Sequence, residues 1–309
     1  MPVALITHPD CFDHDPGPYH PESPARLRAV LAALELPEFQ PLLREAAPEA
    51  PESALRGVHS DEYVDAMLAL TPEPDERIHL DADTIASAGT LRAALRSAGG
   101  AMRGVDAVLE GWARCAFVAT RPPGHHAEPA RAMGFCLFGN AAIAANHARS
   151  HGLRRIAVVD FDVHHGNGTQ AMFENDPDLF YASSHQFPCY PGTGRPDERG
   201  IAGNVVNAPL DPESGSAEFR AAWQTILIPA LDAFAPELLI ISAGFDAHKA
   251  DPLAQIHVET DDFAWLTAAL MDVADRHCGG RVVSLLEGGY DLDALAASAA
   301  AHVRTLMRI

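Results

Sequence analysis

Short apolar runs alternate with longer amphipathic stretches along this chain. Seven runs are rich in β-branched or aromatic residues and are bounded by Gly, Pro, Asp or His: "VALIT" (3–7), "AFVAT" (116–120), "IAVVD" (156–160), "LFYASS" (179–184), "NVVNAPL" (204–210), "LLIISA" (238–243) and "VVSLLE" (282–287). Most lack the in–out alternation of a half-exposed strand, so they predict strands buried on both faces, as in a parallel sheet. Between them, apolar positions at helical spacing predict helices over 24–35, 60–70, 84–98, 138–151, 216–234, 260–277 and 291–307. Ser23 suits an N-cap and Pro24 the first helical position. Strands alternating with helices predict the α/β class: a mostly parallel, multi-stranded sheet with helices on both faces. The proline-rich stretches 72–77 and 191–204 read as surface loops. Neither shifts composition enough to be a linker, and no repeat is visible, so residues 1–309 are expected to form a single domain.

Composition narrows the functional classes. A chain of 309 residues buries a large core. Its net charge of −20 argues against nucleic acid or an anionic membrane as partner, and tolerates cationic substrates. Five scattered cysteines without a C-x-x-C predict neither a disulfide framework nor a cysteine zinc site, which fits a reducing compartment. "MPVALITHPD" has no basic n-region and no stretch of 18 apolar residues occurs, so neither a secretory leader nor a membrane span is expected. Together these point to the cytoplasm.

The chemistry lies at the ends of the apolar runs. "AFVAT" leads into "RPPGHH" (121–126), "IAVVD" into "FDVHHGNG" (161–168), "LLIISA" into "GFDAH" (244–248) and "VVSLLE" into "GGY" (288–290). A parallel sheet places the carboxyl ends of its strands along one edge, where ligands of open α/β sheets bind. Four such endings therefore point to one shared site. If the chain stays extended past Val159, residues two apart share a face, so Asp160, Asp162 and His164 point together and His165 points away. Asp162 and His164 then offer an oxygen and a nitrogen to a cation, and Asp246 is the natural third ligand. Two aspartates and a histidine with open positions suit catalytic zinc, and ferrous iron equally.

With the metal ligands assigned, His125 and His126 are left for proton transfer. Asp160 behind His125 would fix its tautomer and stabilise its cation, and Asn167 would orient His126 without a full charge. Tyr290, after two glycines, suits an oxyanion donor for acyl transfer. The absence of G-x-S-x-G and P-loop patterns leaves serine hydrolysis and phosphoryl transfer unsupported.

These residues resemble the histone deacetylase family, of the class II-like bacterial type on the arginase–deacetylase fold. The matching pieces are "HPESPARL" (20–27), "RPPGHHA" (121–127), "GFCLFGNAAIAA" (134–145), "VVDFDVHHGNGTQ" (158–170), "SSHQFPCYPGTG" (183–194), "SAGFDAHKADPLA" (242–254) and "EGGYDL" (287–292). They run in family order over nearly the whole chain. The resemblance implies that Asp162, His164 and Asp246 hold zinc. His125 and His126 match the histidine pair, with Asp160 behind the first and Asn167 where some members carry Asp; Tyr290 matches the transition-state tyrosine. Gly134 and Phe135 match one wall of an acyl-lysine tunnel, Tyr190 the opposite wall, and Arg26 an arginine near an internal acetate channel. It further implies a potassium or sodium ion held by Asp160, Asp162, His164, Ser183 and Ser184, mostly through backbone carbonyls.

The implied activity is zinc-dependent removal of acetyl or other short acyl groups from acylated lysine in proteins or peptides, giving acetate and a free amine. One histidine takes a proton from water; that histidine or its neighbour protonates the leaving amine. Three rivals stand beside it: an acetylpolyamine amidohydrolase, an acyl-lysine binding module without turnover, and a dinuclear manganese hydrolase. The last needs more carboxylates at the site, and Asp251, Asp261 and Asp262 read as caps or solvated loop residues. Leu253 stands where polyamine-preferring relatives place a glutamate. This predicts a preference for acetyl-lysine over acetylated small amines. Self-association is left open.

Overall fold

A computed structural model describes residues 2–309. The chain forms an eight-stranded sheet in the order β2-β1-β5-β10-β9-β6-β7-β8, with every neighbouring pair parallel. Its strands are β1 (Val3–Thr7), β2 (Leu43–Ala46), β5 (Cys115–Val118), β6 (Ile156–Asp160), β7 (Leu179–Gln186), β8 (Val205–Leu210), β9 (Leu238–Ala243) and β10 (Val282–Leu286). A separate two-stranded antiparallel pair joins β3 (Ile78–His79) to β4 (Ile85–Ala86). The helices are α1 (Pro24–Ala33), α2 (Glu52–Arg56), α3 (Asp61–Leu68), α4 (Thr90–Leu109), α5 (Asn140–Ser150), α6 (Asn167–Phe173), α7 (Ser216–Ala222), α8 (Ile228–Phe234), α9 (Thr260–His277) and α10 (Leu292–Met307). A π-turn at Trp223–Leu227 joins α7 to α8 just before Pro229, whose ring cannot continue a regular ladder.

All seven predicted strands are present. The helix expected over 84–98 instead starts at Thr90 and runs to Leu109. Residues 85–86 belong to β4, and the Thr90 hydroxyl accepts the Ser87 N–H (2.7 Å) at the turn into α4. The glycines after Ser97 did not end the helix, because the helix uses them for close packing. A Cβ on Gly104 would stand 2.9 Å from Val283 Cγ1 of β10. β2 escaped prediction because its four residues "LREA" are largely exposed and charged at the sheet edge.

Alternate strand residues feed two layers. Leu5, Phe117, Val159 and Ile241 face α1, α9, α10 and the α7–α8 segment, in a core rich in phenylalanine that includes Trp223. Ile6, Val118, Val158 and Ile240 face α4 and α5, where alanine dominates. The strand order decides where a ligand can enter. From β6 the chain moves outward to β7, and from β9 it moves the other way to β10, so the loops after β6 and β9 diverge. The crevice between diverging loops is where open parallel sheets bind ligands. Among the described residues, no helix is long and apolar enough to cross a membrane.

Candidate active site

The loops after β6 and β9 carry Asp162, His164 and Asp246, and these three bring ligand atoms within 4.8 Å of one another. His164 Nδ1 lies 3.2 Å from Asp162 Oδ1 and 3.1 Å from Asp246 Oδ2. β6 ends at Asp160, so the convergence does not come from an extended chain as expected. It comes from two successive side-chain turns. Asp160 Oδ1 accepts the Asp162 N–H (3.1 Å), and Asp162 Oδ1 accepts the His164 N–H (2.9 Å). His165 points away, to Thr193 and Gln170. The remaining carboxylate oxygens are fixed by backbone donors: Gly288 N–H to Asp162 Oδ2 and Val163 N–H to Asp246 Oδ1, both 2.8 Å. Gly288 has no room for a side chain, since a Cβ there would stand 2.2 Å from Asp246 Oδ2.

Two buried carboxylates facing one imidazole nitrogen are a poor arrangement without a cation between them. The set fits a divalent ion. Its nitrogen and oxygen donors are those zinc accepts, three protein ligands leave a position open, and the outer oxygens are already oriented.

The histidine pair follows β5, on the far side of β10 and β9 from β6. The rings of His125 and His126 lie 4.0 Å apart between centroids but have different partners. His125 Nδ1 donates to Asp160 Oδ2 (3.0 Å), which also accepts the Tyr181 hydroxyl (3.0 Å). His126 Nδ1 donates to Asn167 Oδ1 (2.9 Å); the Asn167 amide is oriented by its own donation to Glu128 (2.7 Å). Burial alone would lower His125, but Asp162 and Asp160 outweigh it and push the imidazole up to about 10. Burial, reinforced by His125 and His164, holds His126 well below its ordinary value. The two rings are thus biased in opposite directions: the neighbouring carboxylates favour the charged form of His125, and burial favours the neutral form of His126.

Tyr290 sits on the loop after β10. Burial lifts its phenol well above the ordinary range, against the opposing pull of Arg26, so it remains a donor. Arg26 stacks over the Tyr290 ring with its guanidinium carbon 4.7 Å from the centroid. It also donates to the carbonyls of Glu287 and Gly289. It therefore lies behind the tyrosine, and the cavity described next does not have it in its lining. That cavity, of about 210 Å³, reaches His126, His164 and Tyr290. Its walls are Gly134, Phe135, Tyr190, Leu253 and Asp83. Gly134 is left-handed (φ 56°), and a Cβ there would meet His126 Cδ2 at 2.3 Å. A larger hollow of about 660 Å³ beside β8 has no histidine or carboxylate in its lining. Ser183 is registered against Asp160 in the β6–β7 pair. The Ser183 hydroxyl meets His185 Nδ1, and Ser184 Oγ accepts from Trp223 Nε1.

Sequence reasoning missed Asp83, Glu128 and Tyr181, and also the residues that hold the loops behind the site. Glu287 is buried; its Oε2 accepts the N–H groups of Gly124 (2.7 Å) and His125 (3.2 Å), and so holds the histidine loop against β10. Asp251, expected as a cap or solvated residue, is buried too, and its Oδ2 accepts the Tyr290 N–H (2.6 Å). Behind them Arg121 grips both oxygens of Glu22, which also pairs with Arg26 (3.0 Å). Asp262, in contrast, has the capping role that the sequence suggested: in the first turn of α9, its Oδ2 accepts the N–H of the N-cap residue Glu259 (2.9 Å). The signal available was position alone: Glu287 closes a strand run, and Asp251 follows the third ligand by five residues.

The profile of the histone deacetylase domain matches residues 20–306. A histone deacetylase-like amidohydrolase of Pseudomonas aeruginosa is 41% identical over 278 residues, covering 88% of this chain and 72% of the relative. A human polyamine deacetylase is 40% identical over 326 residues, covering 99% of this chain but 48% of the relative. The crystal structure of the HDA15 HD domain superposes with a TM-score of 0.92 at 36% identity, covering 99% of this chain and 88% of that one.

Proposed function

This chain belongs to the histone deacetylase family, and on that premise we propose that it is a zinc-dependent amidohydrolase. It removes acetyl or other short acyl groups from acylated lysine side chains and releases acetate and the free amine. One observation carries this reading: a single 210 Å³ cavity reaches His164 of the proposed metal set, the imidazole of His126 and the buried phenol of Tyr290. That is the equipment for attack on an amide and for holding the resulting charge.

Asp162, His164 and Asp246 would hold zinc, with ferrous iron fitting the same donors. A divalent ion there supplies Lewis acidity and a water of lowered pKa. His126, with its proton held on Nδ1 by Asn167, accepts the water's proton at Nε2 and returns it to the leaving amine. His125, paired to Asp160, keeps its proton and offsets the negative charge of the carboxylates beside it. The Tyr290 hydroxyl donates to the developing oxyanion. Gly134, Phe135 and Tyr190 enclose the acyl-lysine stem. Arg26 keeps Tyr290 in place from behind. A potassium or sodium ion beside the β6–β7 ends would be held by Asp160, Asp162, His164, Ser183 and Ser184, and the protein would work in the cytoplasm.

Leu253 supports lysine over polyamine, because an apolar wall leaves a second ammonium unpaired. Asp83 on the same cavity, and the human polyamine deacetylase, favour the second reading, an acetylpolyamine amidohydrolase. The test is kcat/KM for an acetyl-lysine peptide against N8-acetylspermidine, with and without chelator. The expected result is faster peptide turnover, abolished by chelation. Preference for the polyamine puts the second reading in place of the first. No turnover of either substrate by metal-replete protein makes the chain a binding module.

A further inference from the structure

Only two sets of three His, Cys, Asp or Glu side chains, among the described residues, bring ligand atoms within 4.8 Å of one another. One is the active-site set. The other is Asp106, His147 and His151, on the opposite side of the sheet from the α1–α9–α10 layer. Asp106 lies on α4, His147 in the last turn of α5, and His151 caps α5. Histidines four apart on a helix share a face, and these two rings stand 4.7 Å apart between centroids. Both Nε2 atoms aim at one oxygen, Asp106 Oδ1, at 2.6 Å from His147 and 3.6 Å from His151. All three side chains are partly exposed, so an ion can reach them from solvent.

No guanidinium competes for this carboxylate. Arg103, one turn earlier on α4, is held by Glu45 and Glu110. Arg149, two residues after His147, is held by Asp176. The ion pairs of Asp106 are with the two imidazoles alone, among the described residues. Tetrahedral donors about 2.0–2.1 Å from an ion stand about 3.3–3.4 Å from each other. The His151 contact is already near that spacing. The shorter His147 contact is a hydrogen bond whose proton a metal would replace, and a small rotation of the partly exposed carboxylate opens it. Two imidazoles and a carboxylate favour zinc and its transition-metal neighbours over calcium or magnesium, which want oxygen.

We propose that Asp106, His147 and His151 form a second, surface site for a divalent transition ion of the zinc type, which staples α4 to α5. The site is independent of turnover. It joins residues 41 apart in sequence and lies outside the catalytic cavity.

The experiment uses the intact holoprotein, dialysed against zinc and then against metal-free buffer, with metal counted by elemental analysis. Wild type is expected to retain two equivalents, and the His147→Ala/His151→Ala variant one, with turnover of an acetyl-lysine peptide unchanged. Added zinc is expected to raise the Tm of wild type and not that of the double variant. Asp106→Asn, which keeps the shape and loses the charge, is the second variant and is expected to weaken retention of the second equivalent. One equivalent in wild type overturns the proposal. So does a second equivalent that survives in the double variant.

Discussion

The two Asp/His clusters use the same chemistry in opposite settings. In the inner one, Asp162, His164 and Asp246 project from loops fixed by the register of β6 and β9, and both aspartates accept backbone N–H groups. In the outer one, Asp106, His147 and His151 project from helix surfaces, and the Asp106 carboxylate meets no donor but the two imidazoles, among the described residues. Proximity is cheap: helical spacing and one neighbouring helix produce it. Preorganisation is not, because it needs buried donors and glycines that leave room. Those supporting groups would let the inner cluster hold an ion in one geometry with an open position, as the proposed hydrolysis requires. The outer cluster has the same side-chain types without a cavity beside them, so an ion bound there would have nothing to act on.

Crowding the inner cluster without replacing Asp162, His164 or Asp246 should have the largest effect. In Gly288→Ala the new methyl would lie 2.2 Å from Asp246 Oδ2 and 2.5 Å from Asp162 Oδ2. Activity is expected to fall to background and the inner metal to be lost, while an ion at the outer cluster stays. Retained turnover would show that the inner geometry tolerates slack and would erase the contrast. Tyr290→Phe comes next, with kcat lower by about 10²–10³-fold and metal content unchanged, as for loss of one oxyanion donor. A fall below about threefold would remove Tyr290 from the chemistry.

The contrast between buried and exposed histidines also predicts a pH effect on stability. His302 is fully buried, bonded to the Thr267 and Ser284 hydroxyls, and burial holds it down to about 3. Unfolding returns it to about 6.5, so between these values the unfolded chain binds the extra proton. Its contribution is complete above about pH 6.5 and is lost as pH falls toward 3, at about 1.4 kcal/mol per pH unit. Urea unfolding at pH 5 and pH 6 is expected to show a shallower dependence in His302→Gln by about one proton. An unchanged slope would mean that His302 is not held neutral. The smallest effect is on selectivity. Leu253→Glu is expected to move the kcat/KM ratio toward N8-acetylspermidine by about tenfold, about 1.4 kcal/mol. No movement would place Leu253 outside substrate contact.

What the sequence revealed follows the same division. Buried parallel strands are unbroken apolar runs, so β1, β5–β10 and the reactive residues after them could be read directly. Asp162, His164, Asp246, His125, His126 and Tyr290 lie in the loops after the strands where they were expected, and Asn167 opens α6 within reach of His126. β2 was hidden because an exposed edge strand carries no apolar run. Glu287 and Asp251 were hidden for a different reason. Their task is to accept backbone N–H groups from loops 163 and 39 residues away, and no local pattern encodes that. The Arg121–Glu22 pair and the outer cluster likewise depend on which elements the fold brings together. The turn at Asp160–His164 put the right residues together by a different route, through side-chain-to-backbone bonds where an extended strand was expected.

On the proposed function, one ion held by Asp162, His164 and Asp246 is required for amide hydrolysis. This requirement is tested most directly by Asp246→Ala made in the His147→Ala/His151→Ala background, where the outer cluster cannot supply metal to the count. Elemental analysis and turnover of an acetyl-lysine peptide are measured on the same sample. No bound zinc and no turnover are expected, in a protein that remains folded. One equivalent of zinc retained would show that the ion sits elsewhere, and turnover surviving without zinc would show that hydrolysis does not need it.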